Sequence, residues 1–396
     1  MINFKLATES IAWKEHVKSF VKANVIPRTD LDQHGHFPMD LYQKAFDAGI
    51  MTTSIPAVYG GQGKSFIETL LAVEECAYGD LGFTTSAFVS RLALGPLLLF
   101  GTENQKQQWL NPLTQKLGFA SFGFTEPAGS TNLGTRPATT EFEAVDGGFK
   151  IRGEKSTISN ASYAQFFTVF ARQSDQSRGF SCFIVPGNAK GVELTPPLKK
   201  MGQRAGDTAG VKFFDTFVPT ENLIGKIGQG PQVALMSLRS SRIGVGAMAL
   251  GVSRRARDLA KIHCHNRKTG GGQSIIFEQD IQFKFATMEA KIDMLRAYLY
   301  NAAWELENGN HGTKYSSGLK LLSAQIACDI TNECLELHGG AGYLEENTIE
   351  KLVRDTKLLQ IYEGTEAVQK LLIADSAIRL SSDLRGPIPQ SSGGNS

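Results

Sequence analysis

The chain has 396 residues, 41% of them hydrophobic and 20% charged, with 41 Lys and Arg against 39 Asp and Glu for a net charge of +2. That length exceeds one simple core and suits two or three packed layers or domains, and the composition excludes a disordered or fibrous chain. The balanced charge gives no electrostatic footing for nucleic acid or an anionic membrane, so neither is expected as a partner. Cys76, Cys182, Cys264, Cys328 and Cys334 are scattered and form no C-x-x-C pair, which fits a reducing compartment. The amino terminus, MINFKLATESIAWKEH, lacks the apolar core of a signal peptide, and no stretch reads as a membrane span, so a cytoplasmic location is expected.

From Glu9 to about Gly118, apolar residues recur at helical spacing, and Thr102 or Asn104 is positioned to cap a helix. The texture changes at Phe119: FKIRGEKSTISN, FFTVFAR, GFSCFIVP and GVKFFDTFVP are short, β-branched and aromatic, and are separated by Gly, Pro, Asp and Asn. Long helical patterns return from Pro231, with Phe285, Met288, Ile292, Leu295 and Leu299 forming an apolar stripe at steps of three and four. The end, SSDLRGPIPQSSGGNS, offers almost nothing to bury. These readings predict an α+β chain: a helical domain over 1–118, a β domain over 119–228, a helical bundle over 229–380 and a disordered tail over 381–396.

Several chemistries drop out on pattern. No G-x-G-x-x-G follows a strand, and KTGGGQSII has no strand-turn-helix context, which argues against a nicotinamide or P-loop site. The adjacent His263, Cys264 and His265 point in different directions on a helix and read as structural rather than metal-binding. There is no G-x-S-x-G, so serine hydrolysis is set aside. The stretch RDTKLLQIYEGTEAVQ places Glu363 behind an apolar run and before Gly364 and Thr365. By itself it reads as a helix start, with Thr365 as N-cap.

Six stretches in a fixed order change that reading: FGFTEPAGSTNLG, GEKSTISNA, MGQRAGDTAGVKFFDTFVPTENLIG, SSRIGVGAMALGVSRRA, NRKTGGGQSIIFEQ and ELHGGAGYLEENTIEKLVRDTKLLQIYEGTEAVQ. Together they resemble the acyl-CoA dehydrogenase family from about residue 10 to 375. The resemblance implies a helical amino-terminal domain, a β-barrel-like middle domain and a carboxy-terminal four-helix bundle. It also implies FAD as cofactor and a homo-oligomer, usually a tetramer. It implies desaturation of an acyl thioester, in which a carboxylate takes the α proton and hydride passes from the β carbon to flavin N5. Glu363 matches that base. Its backbone N–H, with a ribityl hydroxyl of FAD, matches the contact to the thioester oxygen. An α proton beside a thioester is weakly acidic, so the base must be close, and excluding water raises its pKa toward that of the proton it takes.

The remaining site residues carry over in the same way. Phe122, Phe124, Thr125, Ser130 and Ser159 match FAD contacts, and Ser130 also borders the thioester carrier. Arg242 matches an arginine supporting the active-site helix, Gly364 gives room at the base, and Thr365 matches a cofactor contact. Arg267, Gln279, Gly339 and Gly340 match FAD contacts supplied by a neighbouring subunit, and Glu336 stands where a glutamine usually meets the pyrophosphate. Some relatives carry the base at the position of Ser241, which has no adjacent base here.

Departures cluster around the carrier and the flavin. TEPAGST is one residue short with Thr131 for aspartate, Thr157 replaces a tryptophan that shields the flavin, and 270–272 is a glycine run. They point to a specialised, secondary-metabolism enzyme whose acyl group rides on a carrier protein or CoA, with an electron-transferring flavoprotein or oxygen as acceptor. Arg91 could face a polar acyl substituent there, or simply a solvated helix face. The competing readings are a flavin oxidase or monooxygenase on the same fold, and a non-catalytic scaffold.

Overall fold

Ser65 and Glu68 open one helix by capping each other: the Glu68 N–H donates to the Ser65 hydroxyl at 3.2 Å, and the Ser65 N–H to the Glu68 carboxylate at 2.9 Å. Thr102 and Gln105 form the same reciprocal cap at the start of another, so the cap is Thr102 and not Asn104. The computed structural model describes residues 5–129, 138–175, 179–309 and 313–378; the expected tail at 381–396 lies outside them.

The first five helices are α1 (Thr8–Asn24), α2 (Met39–Asp47), α3 (Phe66–Gly79), α4 (Leu81–Phe100) and α5 (Glu103–Gln115). Asp80 ends α3 and starts α4, accepting from the Phe83 N–H at 2.7 Å. By length and composition α4 is apolar enough to cross a membrane, which corrects the expectation that no stretch is. Its apolar side chains are mostly buried in this fold, against α3, the first strand and the long helix that follows the sheet. The physical reason is that a core helix covered on several sides is as apolar as a membrane span.

Strands β1 (Phe119–Gly123), β2 (Glu141–Val145), β3 (Gly148–Ser159), β4 (Ala164–Gln173), β5 (Ser181–Pro186), β6 (Val192–Leu194), β7 (Thr208–Pro219) and β8 (Leu223–Ile224) build the middle. They run in the order β6-β7-β3-β2-β4-β5-β8, with β1 beside β4 in parallel. Phe142, Phe149, Ile151, Phe167, Phe183 and Phe213 fill its interior. The β3–β7 register slips between Lys155 and Ile158, and Thr157 in that bulge takes φ +52° with its side chain exposed. A β-branched residue with positive φ is strained there.

Five helices follow: α6 (Gly230–Asn266), α7 (Gln279–Glu307), α8 (Thr313–His338), α9 (Thr348–Lys357) and α10 (Glu366–Ile378). On α7 the stripe buries Met288, Ile292, Leu295 and Leu299, with Phe285 packed at its edge. A Cβ on Gly251 would lie 2.3 Å from the Glu74 carbonyl oxygen, so this glycine lets α6 approach α3. Buried Glu74 receives Arg254 at 2.6 Å and Arg296 at 2.9 Å, tying α3 to α6 and α7.

The seam between the three regions is also ionic. Lys351 of α9 pairs with Asp80 at 2.7 Å and with Asp355, while the backbone N–H of Gln203, at φ +49°, donates to Asp355. Thr85 of α4 donates to the Gln203 side chain at 2.8 Å. Charges this deeply buried persist only when paired, and here the pairing fixes the turn after α9.

Candidate active site

That turn carries Glu363. After α9 a short 3₁₀ stretch, Leu358–Gln360, unwinds, and Glu363 (φ +57°) and Gly364 (φ +94°) follow one another in the left-handed region. Thr365 then accepts from the Val368 N–H at 3.5 Å, so it caps α10 as the bare sequence suggests. Capping by Thr365 leaves the Glu363 side chain out of the helix cap. The φ of Gly364 is one that side-chain-bearing residues rarely adopt, which favours glycine there, and a Cβ would also press on the Gln369 amide at 2.7 Å. Glutamate pays for its own left-handed backbone, and such strain collects at functional sites.

Buried donors hold the turn by its carbonyls. Lys320 of α8 reaches the Gly364 oxygen at 2.7 Å and the Gln360 oxygen at 3.2 Å. Gln369 donates to the Glu363 and Gly364 oxygens at 3.1 and 2.9 Å, and Arg242 of α6 to the Glu363 oxygen at 3.2 Å. Lys320, Gln369 and Arg242 are all buried.

Burial raises the pKa of the Glu363 carboxyl, and it outweighs three opposing influences: the facing Ser241 hydroxyl, the Arg242 guanidinium and the Lys320 ammonium. Burial also lowers the Arg242 pKa, against the attraction of Glu363, and brings Lys320 down to about 8. Three buried polar atoms here have no hydrogen-bond partner: Glu363 Oε2, Arg242 Nη1 and Gln369 Oε1. The Glu363 N–H is likewise unengaged by any described residue. Unsatisfied groups concentrated at one turn fit a place that a bound group or an ordered water completes.

The helix α4 joins this turn to the sheet. Thr85 and Gln203 face the Tyr362 hydroxyl, which lies 3.2 Å from the Met248 sulfur. One residue on, Ser86 donates at 2.6 Å to Asn160, the left-handed residue (φ +59°) following Ser159. Ser159 accepts from the Ser121 hydroxyl through its carbonyl at 2.8 Å, and its own side chain is half-buried. The Thr125 carbonyl accepts from the Ser156 N–H at 2.9 Å. Below it, Lys155 and Glu126 form a buried pair at 2.8 Å. The Phe122 and Phe124 rings turn into the core against Phe170 and Phe180, so contact with a ligand there falls to their backbone. Ser130 and Thr131 lie outside the described residues.

The structure does not bring Arg267, Gln279, Glu336, Gly339 and Gly340 to this place. All five are exposed, where α6 ends, α7 begins and α8 ends, an end joined by His263 and His338, whose rings lie tilted with centroids 4.4 Å apart. Arg267 follows Arg242 by 25 positions along α6, or about 37 Å at 1.5 Å per residue. The glycine run closes a tight turn, with Gly272 at φ +83° between the bridged Lys268 and Ser274. Sequence reasoning missed Lys320 and Gln369; a lysine sharing a helix face with Leu319, Ser323, Ala324 and Ala327 was the available signal for the first.

Three family models match in succession: acyl-CoA dehydrogenase, N-terminal domain over 7–116, middle domain over 121–216 and C-terminal domain over 228–378. A probable acyl-CoA dehydrogenase, YngJ of Bacillus subtilis, is 38% identical over 386 residues, covering 96% of this chain and 100% of the relative. Among solved structures, butyryl-CoA dehydrogenase from Megasphaera elsdenii aligns with a TM-score of 0.91 at 30% identity, over 96% of this chain and 100% of that one. The prolyl acyl carrier protein oxidase AnaB aligns at 0.89 and 27%, over 95% and 100%.

Proposed function

The chain belongs to the acyl-CoA dehydrogenase family, and we propose that it desaturates an acyl thioester between its α and β carbons, with Glu363 as the base. The observation that carries this reading is the Glu363 carboxylate: strained in its backbone, unpaired at Oε2, and raised in pKa by burial. A base of raised proton affinity is better matched to a weakly acidic α proton. The unengaged Glu363 N–H supplies one donor to the thioester oxygen as negative charge develops. Arg242 holds the Glu363 carbonyl, which sets the direction of the N–H and of the side chain.

The orphaned polar atoms around this turn fit FAD and substrate as the groups that complete it. Thr125, Ser159 and Thr365, with the backbone at Phe122 and Phe124 and with Ser130, would hold one side of FAD. Bound there, it supplies the acceptor for the hydride leaving the β carbon. The far cluster of Arg267, Gln279, Gly339 and Gly340 would serve the site of a second copy in a homo-oligomer, a tetramer by family analogy. Glu336 beside it opposes a pyrophosphate, and its exposure on α8 lets the carboxylate turn to water.

The carrier of the acyl group is CoA or a carrier protein, and AnaB, whose name states a carrier-bound prolyl substrate, supports the second. Exposed Thr157, where an aromatic wall would shield the flavin, favours oxygen as electron acceptor over an electron-transferring flavoprotein. The test is the anaerobic visible spectrum of purified protein titrated with acyl-CoA and acyl-carrier-protein thioesters. Bleaching of the oxidised flavin band by one carrier class identifies the reaction and the carrier. A flavin that no thioester bleaches overturns desaturation. Readmitting air to the bleached protein then tests the acceptor, since rapid recovery of colour marks an oxidase.

A further inference from the structure

Lys320 is fully buried in α8, yet its ammonium is hydrogen-bonded to no carboxylate. It donates instead to the carbonyls of Gln360 and Gly364, which bracket Glu363, so one nitrogen closes the loop on which the base stands. A buried lysine without an acidic hydrogen-bond partner is costly and would be replaced by an apolar side chain unless its charge or its donors were used. Both are used on the same turn.

We propose that Lys320 is a positioning residue for Glu363: it holds the base in its left-handed pose and, through its positive charge, opposes protonation of the carboxyl. This rests on Glu363 being the base. The two effects have one origin, because the carbonyls that bind the ammonium fix its distance from the carboxylate. The charged groups facing it are Glu363 and Glu366, which favour its protonated form, and Arg242 on α6, which disfavours it. Glu363 in turn faces Ser241, Arg242 and Lys320. Arg242 alone does not replace Lys320, since its Nε is spent on the Glu363 carbonyl and it is itself destabilised as a cation by burial.

The linkage has a definite sign. Lys320 titrates near 8 when folded and near 10.5 when exposed, so between these values the unfolded chain binds the extra proton and stability rises with pH. Removing the Glu363 charge weakens the hold on the Lys320 proton, so in Glu363→Gln that rise begins at lower pH.

The test compares wild type, Lys320→Gln, Lys320→Arg and Glu363→Gln as flavin-loaded full-length protein. Two quantities are read against pH: the thermal midpoint, and the rate of flavin bleaching by a thioester that bleaches wild type. The proposal expects the rise in midpoint between pH 8 and 10.5, to which the buried Lys155 and Lys200 also contribute, to shrink by one lysine's share in Lys320→Gln and to start earlier in Glu363→Gln. It expects the acid limb of the bleaching rate to move up by about one pH unit in Lys320→Gln, a loss that approaches tenfold on the acid side of the limb and largely recovers on its alkaline side. Lys320→Arg, which keeps the charge, should leave that limb near its wild-type position. An unmoved acid limb in Lys320→Gln, or a midpoint rise that is the same in Glu363→Gln as in wild type, overturns the proposal. The midpoint arm reads the Lys320–Glu363 coupling without any turnover, so it stands apart from whether a thioester is the substrate.

Discussion

Glu363 is held in a form that costs the protein stability and, in the proposed reaction, serves proton transfer. Its carboxyl binds a proton more tightly folded than unfolded, so the stability it lends is greatest below the ordinary glutamate range and is lost as pH rises through the raised folded pKa. Glu363→Gln keeps the shape and removes that titration. The variant should therefore retain flavin, melt higher than wild type at pH 8, and lose its advantage on acidification; its bleaching rate should fall by about 10²- to 10⁴-fold. A bleaching rate like that of wild type would move the base elsewhere. At this scale Thr365 was legible as a helix cap in IYEGT, whereas Glu363 as the proposed base came only from the resemblance, because a carboxylate before Gly and Thr reads locally as part of a helix start. Lys320 and Gln369 were not legible, since each is a single polar residue on a helix and acquires meaning only when folding brings it to carbonyls 40 and more, or five and six, positions away.

Among elements, α9 decides where the Glu363 turn sits. Lys351 anchors it to Asp80 at the start of α4, and the Asp355 it also binds receives the Gln203 N–H from the loop ahead of β7. With burial favouring neutral forms, Lys351 nonetheless has its pKa raised, because the two carboxylates outweigh desolvation. Lys351→Met would leave Asp80 and Asp355 buried together without a cation. Loss of one member of such a cluster costs about 3–5 kcal/mol, so the midpoint of denaturant unfolding should fall accordingly. A loss below about 1 kcal/mol would mean that the carboxylates find water or a shared proton instead. The cap of α5 and the stripe of α7 were readable because they depend on residues within a turn or two. The partnership of Lys351 with Asp80 spans 271 positions and leaves no local trace. The bulge at Thr157 was hidden for a similar reason, as it exists only in the pairing of β3 with β7. The core helix α4 escaped notice as a membrane-length apolar run because Arg91 and Pro96 interrupt it; Arg91 lies over the Phe66 ring at 4.6 Å.

In the molecule as a whole, α6 carries residues of two separate clusters. Near its start Arg242 supports Glu363; at its end Arg267 is exposed beside Gln279, Glu336, Gly339 and Gly340, about 37 Å away on the helical rise. One FAD cannot touch both ends of such a span within a single chain while its reactive ring lies at Glu363. If the far cluster serves a neighbouring copy, then cofactor retention and assembly are one equilibrium, and each subunit stabilises the other by binding what the other holds. The order of helices and strands was readable from the chain, but the separation of these two clusters was not, because it depends on α6 running unbroken between them; their division of labour is what the proposed assembly assigns. Arg267→Glu changes only an exposed side chain at the remote end and leaves the Glu363 turn untouched, so the folded chain should persist with its thermal midpoint in the absence of flavin nearly unchanged. In the proposed assembly it should nevertheless release flavin at least tenfold more readily, and on dilution flavin loss and dissociation, followed together by absorbance during sedimentation, should occur over the same concentration range. Flavin that stays bound to a sedimenting monomer would place the whole cofactor within one chain and assign the far cluster another purpose.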